Sequence, residues 1–224
     1  MSPRPATAPT PPPSPAPRRA RPAATGPGGA DATRRHIVDV AAAAFAERGY
    51  TGASLNEIIR EAGLTKGGVY FHFASKEALA LAVVRERAEQ WIGRVTSVAM
   101  RHERAIDQLA SIPPTLVQLI REDPSLAVVG RLCAELEEQH PELAPEVRPA
   151  VTGWIRLVAS LIRRAQDEGD VRRDLDPEAL AAVAVAAFDG LREVADLLPE
   201  GPPLHDLVQS FAAVFLRGIA ADPS

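Results

Sequence analysis

Apolar residues recur at helical spacing along almost the whole chain from residue 32 onward. In the first such segment, Ile37, Val40, Ala41, Ala44 and Phe45 follow the i, i+3, i+4, i+7, i+8 pattern of one helix face. No segment shows the sustained alternation of apolar and polar residues that is typical of a half-buried strand. The pattern therefore predicts an all-α protein with about nine helices.

Caps and prolines set the ends of these predicted helices. Ser54, with Glu57 three residues later, has the spacing of a capping box, and Gly49 and Gly63 are placed where helices would end. Asp176 before Pro177 has the composition of a helix start. The predicted helices cover residues 33–48, 54–63, 65–73, 75–99, 103–121, 125–139, 145–168, 177–198 and 204–221.

The first 30 residues differ in composition from the rest of the chain. They contain ten of the 21 prolines, four arginines and no acidic residue. They show neither a periodic apolar face nor the apolar stretch of a signal peptide, so residues 1–30 are predicted to form a disordered basic arm. Because the whole chain has a net charge of −4, the remaining 194 residues carry −8. This acidic excess lies in residues 81–224, whereas residues 31–80 are neutral.

Several classes of protein are excluded or disfavoured by residue content. A hydrophobic fraction of 46% and a charged fraction of 24% are typical of a soluble globular protein, and no apolar run approaches the length of a membrane span. The single cysteine excludes a disulfide framework, and the five histidines lack metal-ligand spacing. No nucleophile elbow, phosphate loop or dinucleotide fingerprint is present. We therefore predict no catalytic residue, metal or cofactor, and a cytoplasmic location.

The segment 54–73 has the form of a helix-turn-helix. Gly63 lies at the turn, where two short helices must cross steeply and where glycine adopts positive φ without a Cβ penalty. A plain helical hairpin with a polar end has the same spacing. Clustering favours DNA binding, because both lysines and five of the ten aromatic residues lie between residues 45 and 76. The residues expected to pack the two helices together are Leu55, Ile58, Ile59, Ala62, Leu64, Val69 and Phe73.

The candidate DNA contacts lie in and just after the second of these helices, because recognition helices present their N-terminal residues to base edges. The two lysines and Tyr70 are expected to hold phosphate oxygens, with His72 as a further candidate. Thr65 is expected to cap the helix or touch a phosphate, and the glycines to approach the bases. The predicted DNA-binding residues are Thr65, Lys66, Gly67, Gly68, Tyr70, His72 and Lys76.

Residues 33–80 closely resemble the N-terminal domain of TetR-family transcriptional repressors. Residues 41–50 resemble the first helix of that family, and residues 54–64 resemble its second helix and turn. Residues 65–73, TKGGVYFHF, followed by Ser75-Lys76-Glu77, resemble its recognition helix and the start of its fourth helix. The resemblance implies a DNA-binding domain at residues 31–78 and a helical ligand-binding and dimerisation domain at residues 79–224. Ligand binding would move the fourth helix and spread the two DNA-binding heads of a homodimer.

Within that family, the phrase YFHF at residues 70–73 most resembles the γ-butyrolactone autoregulator receptors, which control antibiotic production. Trp154, after Pro149, is similar to a tryptophan that those receptors place over the bound signal. Gly68 and the acidic stretch at residues 135–146 depart from their pattern. The resemblance implies a repressor that leaves its operator when a γ-butyrolactone-type signal binds. The alternatives are a TetR-like repressor of a drug-like or lipid effector, a helical protein-interaction module, and a helical enzyme with a reactive Cys133 or a histidine dyad.

The candidate ligand contacts are mostly apolar, and each is equally a candidate for the ordinary core. Leu157, Val158 and Leu161 lie at helical spacing from Trp154, as core residues would, and Cys133 is expected to be an inert buried thiol. Thr115, Gln118, Thr152 and Asp189 are candidates for the few polar groups that an apolar site needs. The predicted ligand-binding residues are Trp154, Leu116, Leu119, Leu132, Cys133 and Phe188.

The last two predicted helices are apolar over a wide arc, with many alanine, valine and leucine residues. Helices of this kind either lie between two layers of one chain or present one side to a partner chain. The family resemblance favours the second interpretation. We therefore expect a homodimer that joins through these two helices, bound to double-stranded operator DNA and to a small-molecule effector.

Overall fold

The protein was analysed as a computed structural model that describes residues 27–221. Within that range the fold is all-α, as predicted, with short 3-10 helices at Pro124–Ala127 and Pro141–Leu143 and one isolated β-bridge between Val171 and Ala220. The α-helices are α1 (Pro27–Gly52), α2 (Leu55–Glu61), α3 (Lys66–His72), α4 (Lys76–Ala99), α5 (Ala105–Glu122), α6 (Val128–Gln139), α7 (Ala144–Asp167), α8 (Pro177–Leu197) and α9 (Leu204–Ile219).

The start of α1 differs from the sequence prediction. The helix begins at Pro27, so the last four residues assigned to the disordered arm are helical. Proline is tolerated in a first helical turn, and the Thr33 hydroxyl donates a hydrogen bond to the Gly29 carbonyl at 2.8 Å. These small residues carry no apolar face, so periodicity could not reveal the extra turn. The remainder of the predicted arm, residues 1–26, lies outside the described residues.

Two clusters of buried apolar side chains organise the fold. The first joins α1, α2, α3 and the start of α4 to one face of α6, and its largest fully buried members include Phe45, Ile58 and Leu132. The second joins the end of α4 to α5, α7, α8 and α9 around residues such as Leu109 and Ile162. Helices α4 and α7 contribute buried residues to both clusters, among them Val83 and Val95 of α4 and Val147 and Val158 of α7, and so connect the N-terminal helices to the rest of the molecule. The predicted domain boundary at residues 78 and 79 falls in the first turn of α4.

Candidate nucleic-acid interface and effector pocket

The helix-turn-helix is held by side-chain caps at the start of each helix. The Ser54 hydroxyl accepts a hydrogen bond from the Glu57 amide, and the Glu57 carboxylate accepts one from the Ser54 amide, which completes the predicted capping box. Gly63 has φ of 65°, the left-handed conformation expected at the turn. The Thr65 hydroxyl accepts a hydrogen bond from the Gly68 amide at 3.1 Å, so Thr65 caps α3 as predicted. These bonds fix the first turn of each helix, and buried Ile58 and Val69 belong to the cluster that packs α3 against α2.

The outer face of α3 is open to solvent. Lys66 and Gly67 are exposed, Tyr70 is 43% exposed, and the Lys66 ammonium lies 5.6 Å from the centre of the Tyr70 ring. Among the described residues, Lys66 has no ion-pair partner, so its charge is available to a phosphate. A Cβ built on Gly67 meets nothing within 4 Å, whereas one on Gly68 lies 3.3 Å from the Thr65 hydroxyl oxygen. The helix therefore presents bare backbone at Gly67.

Phe71 is the most exposed of the large apolar side chains on this face, at 79%, and the sequence analysis did not assign it to the site. It lies two positions after the buried Val69, and a helix turns residues at that spacing away from each other. That offset was the signal in the sequence. Its ring lies 5.1 Å from that of half-buried His72. Both rings are therefore beside the predicted contacts Lys66 and Tyr70 on one short helix.

Lys76 has different surroundings from Lys66. Its ammonium lies 4.1 Å from the centre of the Tyr50 ring, and the side chain is half-buried. Burial lowers the pKa of Lys76, although the negative charges of Glu77 and Glu135 oppose that shift. Lys76 is therefore engaged with the end of α1, unlike Lys66. Its phosphate contact stays a prediction.

Tyr50 is the centre of a polar cluster between the N-terminal helices and α6. Its side chain is 2% exposed, its hydroxyl donates a hydrogen bond to Glu77 at 2.9 Å, and the same oxygen lies 3.2 Å from His140 Nε2. Burial, followed by the hydrogen bond to Glu77, raises the pKa of Tyr50. We call this cluster, with Gly49, Arg131 and Glu135, the head–body junction.

In this junction a side chain of α6 binds the backbone amide of Tyr50, near the C-terminal end of α1. The Glu135 carboxylate accepts a hydrogen bond from the Tyr50 amide at 2.5 Å and another from Arg131 Nε at 2.6 Å. Gly49 has φ of 71°, and a Cβ there would lie 2.6 Å from an Arg131 guanidinium nitrogen. The positive φ therefore favours glycine at this position, and a larger residue would also displace the Arg131 guanidinium.

Two narrow hollows lie among α4 to α9, on either side of the Trp154 and Phe188 side chains. The inner hollow is lined by apolar side chains, among them Leu109, Leu116 and Phe211. The outer hollow adds polar groups to its aromatic walls, and its lining includes Trp91, Val129, Gly130, Asp189 and Arg192. Trp154, Val185 and Phe188 lie between the two hollows and line both, so we treat the hollows as two adjoining parts of one candidate pocket, one apolar and one with polar groups.

The structure brings together only half of the predicted ligand contacts. Trp154, Leu116 and Phe188 line the pocket. Leu132 and Cys133 line neither hollow, because they are on the face of α6 that packs against α1 and α4. Leu119 also lies in the core rather than in the pocket lining. The assignment of Leu119, Leu132 and Cys133 to the pocket wall is therefore not supported by their positions.

Comparison with known proteins gives the family. Residues 37–83 match the model for bacterial regulatory proteins of the tetR family, and residues 128–211 match the tetracyclin repressor-like C-terminal domain. Together the two matches cover more than half of the chain. The chain belongs to the TetR family.

This TetR-family member has, within residues 27–221, no helix with the length and hydropathy for crossing a bilayer. The same residues contain no group of three or more candidate metal ligands.

Two relatives and one solved structure illustrate what the chain is similar to. The chain is 32% identical over 168 residues to the A-factor receptor protein of Streptomyces griseus, covering 73% of this chain and 55% of the receptor. The chain thus spans only about half the length of that relative. It is 26% identical to the fatty acid metabolism regulator protein of Bacillus subtilis, over 62% of this chain and 71% of that protein. A solved structure that addresses control of antibiotic production by bacterial hormones superposes with a TM-score of 0.71 and 30% identity, over 85% of this chain and 98% of the other.

Proposed function

We propose that this TetR-family member represses transcription by placing α3 in the major groove of an operator and leaves the DNA when a small effector enters the Trp154–Phe188 pocket. The observation that carries the proposal is the outer face of α3. It combines a free Lys66 ammonium, a half-exposed Tyr70 and bare backbone at Gly67 on a helix whose first turn is capped by Thr65. Recognition helices need these properties to reach phosphates and base edges.

We infer that the effector is a γ-butyrolactone-type signal, supported by the similarity to the A-factor receptor and by the place of Trp154 in the pocket. The second candidate is a lipid effector. It is favoured by the apolar lining of the inner hollow and by the similarity to a fatty acid metabolism regulator. The two candidate effectors differ in how far release from DNA depends on Trp154. Trp154→Ala is expected to abolish release by a butyrolactone while DNA binding persists.

We also propose that the protein is a homodimer that joins through α8 and α9 and acts in the cytoplasm, on the bacterial chromosome. Only Ala181 of α8 and Val208 and Ile219 of α9 are fully buried within the chain, although both helices are rich in apolar residues. A dimer would cover their remaining apolar surface. It would also present two α3 helices to the DNA, as recognition of paired half-sites requires.

A selection from random oligonucleotides followed by gel mobility shift tests the proposal. We expect recovery of a palindromic sequence. Its complex with the protein should dissociate on addition of 2-hexyl-γ-butyrolactone or of the same lactone with a hydroxyl group on the hexyl chain. Lys66→Ala should reduce binding to all recovered sequences. Failure to recover any preferred sequence would overturn DNA-binding repression and favour a helical protein-interaction module.

A further inference from the structure

Asp189 occupies an unusual position in the candidate pocket. It is on α8 and lines both the outer hollow, beside Trp91, Trp154 and Phe188, and the surface groove beyond it. A Cβ built on Gly130 of α6 would lie 3.4 Å from an Asp189 carboxylate oxygen, so the carboxylate lies against the backbone of α6. The Asp189 side chain is exposed and lies where the outer hollow adjoins the surface groove.

The Asp189 carboxylate has no partner among residues 27–221. It accepts no hydrogen bond and forms no ion pair there, and the nearby Arg192 is 3.7 Å from Asp196 instead. Desolvation raises the pKa of Asp189, and the charge of Arg192 only partly opposes this. The protein therefore does not satisfy this carboxylate internally.

An unpartnered carboxylate restricts what can bind beside it. An apolar ligand seated in the outer hollow would displace part of the water around the carboxylate without replacing its hydrogen bonds, which is costly. A ligand with an O–H or N–H group at this end would replace the water instead. The interior of the pocket, where Leu109, Leu116 and Phe211 lie, offers only apolar contacts. The two ends of the pocket thus suit two different ends of one molecule.

We propose that Asp189 determines effector specificity by accepting a hydrogen bond from the ligand, so that the effector has an apolar chain and a hydrogen-bond donor at one end. This proposal rests on the proposed function for the pocket as an effector site. It narrows that function, because apolar molecules of the same length that lack a donor are rejected. Sites that hydrogen-bond a ligand group discriminate strongly against analogues without it.

Tryptophan fluorescence provides a direct test, since both tryptophans of the chain, Trp91 and Trp154, line the outer hollow. The probes are 1-octanol, octylammonium and methyl octyl ether, which share an alkyl chain and differ in the donor. We expect both donors to bind roughly 10- to 100-fold more tightly than the ether, as for a hydrogen bond to a charged group. In Asp189→Leu this preference should fall to near unity.

Two further variants isolate the role of the carboxylate. Asp189→Asn keeps an acceptor oxygen but loses the charge, so it should retain the preference for octanol and lose the one for octylammonium. Glu193→Leu removes a carboxylate of the same helix that lines only the surface groove and has no ion pair among the described residues, and it should leave all preferences unchanged. The proposal is overturned if the parent protein does not prefer donors, or if Asp189→Leu keeps the preference.

Operator release is measured separately with the same probes. Selective binding without release would contradict the effector role of the pocket while leaving the specificity of Asp189 in place. Release by the ether as efficiently as by octanol would contradict the specificity and leave the effector role in place. The two failures are therefore distinguishable.

Discussion

The only two lysines of the chain lie ten residues apart, yet they have different surroundings. Lys66 is exposed without an ion-pair partner, whereas the ammonium of Lys76 lies over Tyr50. We expect Lys66→Ala to weaken binding of all operator sequences and to reduce the slope of log affinity against log salt by about one, as loss of one phosphate contact does. Binding measured by fluorescence anisotropy at several salt concentrations checks this.

Lys76→Ala is the matched comparison for that experiment. Its engagement with the head–body junction predicts a smaller change in the salt slope than for Lys66→Ala, accompanied by a lower melting temperature. Equal slopes for both variants would mean that Lys76 leaves Tyr50 when DNA binds. An unchanged slope for Lys66→Ala would refute the phosphate contact at Lys66.

The reactivity of Cys133 on α6 distinguishes a buried core thiol from a catalytic one. Its side chain is buried, and burial, with the charge of Glu137, raises the pKa of the thiol to about 12. At pH 8 only roughly one thiol in 10,000 would be ionised at that pKa. We expect Ellman's reagent to label the thiol at least about a thousandfold more slowly in the folded protein than in 6 M guanidinium chloride. Rapid stoichiometric labelling of the folded protein would support a reactive cysteine.

The DNA-binding residues could be proposed from sequence because each depends on local signals. Caps, the turn glycine and helical spacing fix which side of α3 faces outward, and these signals lie within 20 residues. The pocket residues could not be chosen in this way. Leu116 and Leu132 are both leucines on amphipathic helices, and only the packing of α6 against α1 places Leu132 in the core. The role of Lys76 depends on Tyr50, which is 26 residues away in sequence.

At the level of elements, the predicted helices match those of the structure except at their ends. The start of α1 lacked an apolar signal, and Pro113 and Pro114 lie within α5 without interrupting it. The packing of these helices is what the sequence could not provide. The most consequential case is the 12-residue helix α6. It contributes Val129 and Gly130 to the pocket, and its Glu135 accepts a hydrogen bond from the Tyr50 amide near the C-terminal end of α1.

This arrangement predicts that Glu135 couples the effector to DNA. Glu135→Gln removes the charged acceptor of the Tyr50 amide and the ion pair with Arg131, so the free energy of unfolding should decrease by about 1 kcal/mol. Coupling is measured as the ratio of effector affinities with and without operator DNA. The effector is 2-hexyl-γ-butyrolactone or the same lactone with a hydroxyl group on the hexyl chain. In Glu135→Gln this ratio should approach one, while affinity without DNA is preserved.

Glu138→Gln is the control for this experiment, because Glu138 is an exposed acidic residue of the same helix with no ion pair among the described residues. It should change neither stability nor coupling. A Glu135→Gln protein with the parent ratio would show that the signal passes elsewhere, with α4 and α7 as the helices that contribute to both buried clusters.

At the scale of the whole molecule, the uneven charge of the chain agrees with the proposal that DNA binds at one end and the effector and partner subunit at the other. The acidic excess lies in residues 81–224, which include α5 to α9, whereas residues 31–80, with α2 and α3, have no net charge. A duplex bound at α3 would therefore meet a neutral surface and local cations rather than the acidic body. The negative charge falls instead on the part that is proposed to hold the effector and the partner subunit.

The proposed dimer makes a prediction for the exposed valines of the last two helices. Val214 on α9 is 71% exposed and Val183 on α8 is also largely exposed, which is unfavourable unless a partner covers them. Val214→Arg would bring two like charges into a two-fold interface, so we expect a monomer by light scattering. Affinity for a full palindrome should fall by about 100-fold or more through loss of bivalent binding, while affinity for one half-site persists.

Met100→Arg separates an effect on the dimer from the general effect of adding a charge at an exposed apolar position. Met100 is 57% exposed but follows α4, outside the proposed interface. That variant should remain dimeric and bind the palindrome like the parent protein. If Met100→Arg dissociates the protein and Val214→Arg does not, the subunits join near the end of α4, and the spacing of the two α3 helices would have to be set from there.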